Sequence, residues 1–148
     1  MRGKRILRSN FLIMYRELEN AIKKYLDYGH LHGDTDKIDA YLAATLHALI
    51  DFTDRFWGDD EEIIKAFKYA NNALKHDCSL VSHKKITGGF SFPIHSPLEI
   101  SEITVVWNYD HSVKVNSQMQ QEAFKKLLAG QEILTTLEPL VMRISDEV

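Results

Sequence analysis

The sequence predicts a mainly α protein, a four-helix up-down bundle with a small β-hairpin or ribbon inserted between the third and fourth helices. Apolar residues recur at helical spacing over residues 5–31, 35–57 and 59–76, and again after Ser117. From about residue 79 to 108 the period shortens, and β-branched, aromatic, glycine and proline residues collect there. The helical stretches are joined by short connections, which favours antiparallel neighbours in a bundle. With 148 residues, a single domain spanning 1–148 has enough chain for a core.

In the first helix, Phe11, Tyr15, Leu18, Ile22, Tyr25 and Leu26 form the apolar stripe. Gly29 and Gly33 bracket His30 and His32. These histidines lie two apart with no third ligand at metal spacing, so they read as a solvated turn. The second helix is the clearest amphipath, with Ile38, Leu42, Thr45, Leu49, Phe52 and Phe56 on its stripe and Leu46 and Thr53 at the edge. His47, Asp51 and Asp54 share its far side. That spacing suits a carboxylate-oriented histidine in acid–base chemistry, and it equally describes an exposed face. Gly58 marks the helix stop, and Asp59 with Glu62 has capping-box spacing for the third helix.

The third helix carries the densest chemistry. Ile63, Phe67, Ala70 and Leu74 form its expected core stripe, with Asn71 beside it. Lys68, Asn72, Lys75 and His76 gather on the other side, as a solvated helix end or as a polar site at a cleft or subunit interface. Leu80–Thr87, Gly88-Gly89 and Phe90-Ser91-Phe92 then read as a hairpin, and Ile103–Trp107 as a further strand. Gly88-Gly89 is not a phosphate loop, since no Gly-Lys-Ser/Thr follows. His83, His95 and His111 have no spacing that implies a site. Ser117 and Gln120 cap the last helix, whose stripe runs Met119, Ala123, Leu127, Leu134, Leu137, Val141, Ile144. Gly130 near that stripe suits close helix contact, and a kink is expected at Pro139.

Composition narrows the function classes. Hydrophobic residues make up 45% and charged residues 26%, with a net charge of −3, so there is no general pull toward nucleic acid or anionic membrane. The basic start, Arg2, Lys4, Arg5 and Arg8, leads into no signal-peptide core, and no apolar run reaches spanning length. No membrane association is expected, and the cytoplasm is the default. Cys78 is the sole cysteine, which excludes an intrachain disulfide and a Cys-based zinc site. No cofactor and no metal are expected.

The run Tyr69-Ala70-Asn71-Asn72-Ala73-Leu74-Lys75-His76 resembles the Arg-Asn-x-x-x-His signature of the HEPN superfamily of helical proteins. Gly88-Gly89-Phe90-Ser91-Phe92-Pro93 is similar to the segment that follows it in some uncharacterised bacterial members. The resemblance implies a four-helix fold, a homodimer and, in active members, metal-independent endoribonuclease chemistry of toxin or phage-defence type. His76 matches the motif histidine and Asn72 the polar residue after the arginine. The arginine place falls on Asn71, Ala70 or Tyr69, none cationic. The motif chemistry needs a histidine to move the proton and a guanidinium to hold the phosphate. His76, Asn72 and Asn71 are therefore the candidate catalytic positions, with Lys68 and Lys75 as candidate binding cations. With the arginine lost, the expected function is a non-catalytic, homodimeric interaction or regulatory module that binds RNA, a nucleotide or a protein partner. The alternative is an endoribonuclease using His76.

Overall fold

The computed structural model describes residues 2–27, 35–58, 61–75, 80–87, 101–109 and 117–147. They form α1 (Arg2–Asp27), α2 (Asp36–Phe56), α3 (Glu62–Lys75), β1 (Val81–Thr87), β2 (Ser101–Trp107), α4 (Gln118–Leu127) and α5 (Ile133–Ser145). The mainly α expectation holds, with a two-stranded sheet between the third and fourth helices. The described residues form five helices, however, so four principal helices is too few. α1 packs on α2, α2 on α3, α3 on α4, and α5 returns against α1.

α1 and α2 form as their spacing requires. Phe11, Leu18, Ile22 and Tyr25 of α1 are buried, and α1 begins three residues earlier than the stripe suggested. Gly29, His30, His32 and Gly33 lie outside the described residues. In α2 every expected stripe residue except Phe56 is fully buried, and Phe56 is half-buried against the core. The two threonines on that stripe cost little, because Thr45 Oγ1 donates to the Tyr41 carbonyl at 2.7 Å and Thr53 Oγ1 to the Ile50 carbonyl at 3.3 Å. Gly58, at φ +73°, ends the segment in the left-handed region that suits glycine.

α3 departs from its expected stripe. Phe67 and Ala70 are buried as expected, but Ile64, Ala66, Tyr69, Asn71 and Ala73 are buried too, while Ile63 and Leu74 are only half-buried. The cause is its central position, with α2 packing on one side and α4 on the other. The polar side narrows to one strip. Asp59 of the expected capping box lies outside the described residues.

The expected strand over Ile103–Trp107 forms, as the partner of β1. β1 pairs antiparallel with β2, from Val81 opposite Trp107 to Thr87 opposite Ser101. The hairpin partner expected for β1, Phe90–Phe92, lies outside the described residues, as do Gly88 and Gly89.

The last helical stretch is two helices. The expected single stripe from Met119 to Ile144 breaks at Gly130, at φ +79°, and not at Pro139, which sits inside α5. Met119 is 63% exposed. The end of β2 docks into this break. Trp107 N–H donates to the Gln131 carbonyl at 2.9 Å, and Gly130 N–H donates to the Trp107 carbonyl at 2.8 Å. Backbone groups freed by ending α4 are thus taken up by the strand. The Trp107 indole lies between Phe67 and Phe124, each ring centroid 6.0 Å away and edge-on, and its Nε1–H donates to Thr136 Oγ1 at 2.9 Å. The Ser117 cap forms as expected, its Oγ accepting from Gln120 N–H at 3.3 Å.

One end of the molecule is closed by charge. Lys4 Nζ lies 2.6 Å from Glu147 Oε2, Trp57 Nε1–H donates to Glu147 Oε1 at 2.9 Å, and Arg8 donates to the Glu147 carbonyl at 2.9 Å. Arg143 stacks on the Trp57 ring at 3.9 Å and makes two bonds of 3.0 Å to Glu61. These contacts tie the ends of α1, α2 and α5 to the residue before α3. The Arg143 hydrogen bond holds the Glu61 carboxyl below its ordinary range, and Lys4 followed by Trp57 does the same for Glu147.

Candidate functional site

Of the candidate residues, the structure brings Lys68, Asn72 and Lys75 together on the strip of α3 that its neighbours leave open. Lys65 joins them, at positions 65, 68, 72 and 75, and had not been picked out from the sequence. The i, i+3, i+7, i+10 spacing was the available signal. The strip is a line of ammonium groups with one amide. Lys75 is exposed and Asn72 half-buried. Lys68 reaches across to α2, its Nζ 3.0 Å from Asp54 Oδ1, with the two side chains 20% and 57% exposed.

Asn71 does not belong to that strip. It is 7% exposed, buried beside the strip on the flank it shares with Ile64 and Phe67. Expected beside the stripe, it is buried with it, because α3 packs against both α2 and α4. At the two other motif spacings, Ala70 and Tyr69 are fully buried, and the Tyr69 ring packs 4.7 Å from that of Phe124. All three places open to the motif arginine therefore face the interior. His76 lies outside the described residues, as do Cys78, His95 and His111.

The other candidate constellation is on α2. His47 Nε2 lies 3.6 Å from Asp51 Oδ2, beyond a good hydrogen bond, with the side chains 60% and 47% exposed. Asp54 is taken by Lys68. The arrangement is a solvated helix face, and it offers no carboxylate fixed on the imidazole for acid–base work.

Among the described residues no group of three or more His, Cys, Asp or Glu could hold a metal ion. No helix among them is long and apolar enough to cross a membrane. No family model, curated protein or solved structure matches this chain.

Proposed function

We propose that this chain is a non-catalytic interaction or regulatory module of HEPN-like type, homodimeric, binding RNA, a nucleotide or a protein partner. The observation that supports the non-catalytic reading is the burial of Asn71, at 7% exposure. A phosphate-holding group must reach solvent-borne substrate, and electrostatic stabilisation is commonly the largest catalytic contribution. The positions that would supply it by motif spacing are an amide, a methyl and a phenol, all turned to the core. The open strip Lys65, Lys68, Asn72 and Lys75 is the surface for an anionic partner. Its ammonium groups act as point charges without the bidentate geometry of arginine.

The competing reading is a metal-independent endoribonuclease that uses His76, with Lys75 as its cation. It draws on the retained histidine and on the exposure of Lys75. One experiment separates the two. Purified protein is incubated with end-labelled RNA in EDTA, and both cleavage and retention are followed for wild type, His76→Ala and Lys75→Glu. The expected result is no cleavage by any of them and, if RNA is the partner, weaker retention by Lys75→Glu. Robust wild-type cleavage that His76→Ala abolishes overturns the reading in favour of the ribonuclease.

A further inference from the structure

We propose that Lys4, Arg8, Trp57 and Arg143 form a binding site for a phosphate dianion, and that the Glu147 carboxylate fills it in this structure. The site uses none of the α3 lysines and stands whether or not that strip binds a partner. Four donor side chains converge on one residue. Lys4 Nζ lies 2.6 Å from Glu147 Oε2, and Trp57 Nε1–H donates to Oε1 at 2.9 Å. Arg8 Nη1 donates to the Glu147 carbonyl at 2.9 Å, and Arg143, stacked on the Trp57 ring, adds its charge. Lys4 and Arg8 stand at i, i+4 on one face of α1. The Trp57 ring is held edge-on to Phe52, with centroids 6.0 Å apart, and lies 3.9 Å from the Arg143 guanidinium. The donors are thus placed by helices and a packed ring, and do not depend on the carboxylate for their position.

The donor set exceeds its occupant. A carboxylate has two oxygens, and Lys4 and Trp57 take one each. Arg8 is left with a neutral backbone carbonyl, and its Nε is buried with no hydrogen-bond partner among the described residues. An unpaired buried donor is costly, and a guanidinium is best met by an oxyanion that takes two of its N–H groups. A phosphate has oxygens enough for Lys4, Trp57 and Arg8 together, and brings two charges where Glu147 brings one. α1 has no acid in its first turn, so the positive end of its dipole is also open on this side. The carboxyl ends of α2 and α5 act against it, and each is offset by an arginine in its last turn, Arg55 and Arg143. Of the nearby acids, Glu61 has both oxygens on Arg143, and Asp146 is exposed and screened by water. Glu147 itself lies beyond the end of α5, where its N–H keeps a bond of 3.1 Å to the Ile144 carbonyl. Rotation of its side chain frees the site without unwinding a helix.

Trp57 and Trp107 are the chain's two tryptophans, and their indole N–H resonances test this. That of Trp57 lies in the site, and that of Trp107, held by Thr136, reports on the fold. The full chain is titrated at neutral pH with inorganic phosphate and, separately, with adenosine 5′-monophosphate, against sodium chloride at matched ionic strength. At least one probe should move the Trp57 resonance and leave that of Trp107 in place, and the tighter of the two names the source of the phosphate. Glu147→Gln removes the internal competitor and should bind about tenfold more tightly than wild type. Adding Arg8→Gln to Glu147→Gln should abolish that gain. Should the Arg8 variant lose the Trp107 signal, Lys4→Gln in the same background makes the same test. A Trp57 resonance in Glu147→Gln that neither probe moves beyond the chloride reference overturns the proposal. So does an affinity in Glu147→Gln no greater than that of wild type, or binding that survives loss of the Arg8 or Lys4 charge.

Discussion

At position 71 the chain places a buried amide, at a spacing from His76 where the resembled motif would carry a guanidinium. Arginine there must either bury a charge or push its neighbours apart. Asn71→Arg is expected to destabilise the fold by about 3 kcal/mol or more, read as a lower urea midpoint. A variant of wild-type stability would show that the side chain reaches solvent, and would reopen the place to phosphate chemistry. Trp107 is the second residue on which much turns. It is 1% exposed, packs edge-on against two aromatic rings, and its indole N–H is held by Thr136. Trp107→Ala should cost about 3–5 kcal/mol. Trp107→Phe keeps most of the ring packing and should lose less, chiefly the hydrogen bond at about 1 kcal/mol. Equal losses for the two variants would mean that the indole N–H matters more than the packing.

The element whose form is most dependent on its neighbours is the α4–α5 pair. A continuous helix would satisfy its own backbone, yet the chain turns at Gly130 and lets β2 supply the partners instead. An added Cβ at Gly130 would meet nothing within 4 Å, so Gly130→Ala isolates the cost of φ +79° from any clash. The expected loss is about 1–2 kcal/mol, measured by thermal or urea unfolding. No loss would mean that the turn relaxes to another conformation without disturbing the Trp107 contacts. α3 shows the same dependence. Its narrow polar strip is set by the flanking α2 and α4, and the lysines on it mark a line along which α3 can meet a partner through exposed and half-buried side chains.

For the molecule as a whole, the closed end built from Lys4, Trp57, Glu61, Arg143 and Glu147 predicts a pH response. Both carboxyls are held below the ordinary 4.5 by partners present only in the fold. Their contribution is therefore full above the unfolded pKa and is lost as pH falls through the depressed folded values. Stability should decline below about pH 4.5, and the decline should be shallow because these groups are solvent-facing and screened. Glu61→Gln should flatten it further, as seen in melting temperatures between pH 3 and 6. A steeper acid slope in Glu61→Gln than in wild type would place the response elsewhere.

The helical class, the α2 stripe, the Gly58 stop and the Ser117 cap were legible in the sequence, because each depends on spacing or on a residue's own backbone and hydrogen-bonding preference. The lysine strip of α3 was partly legible for the same reason, with Lys65 missed although the spacing held it. What the tertiary structure decided was burial and termination. The sequence alone showed one apolar stripe on α3, but packing on two sides buried Asn71 and Tyr69 as well, and that took both positions away from the surface. It also showed a helical pattern running through Gly130 to a kink at Pro139. The break came at Gly130 because a strand distant in sequence docks there and takes up the freed backbone groups, and local periodicity carries no trace of such a partner.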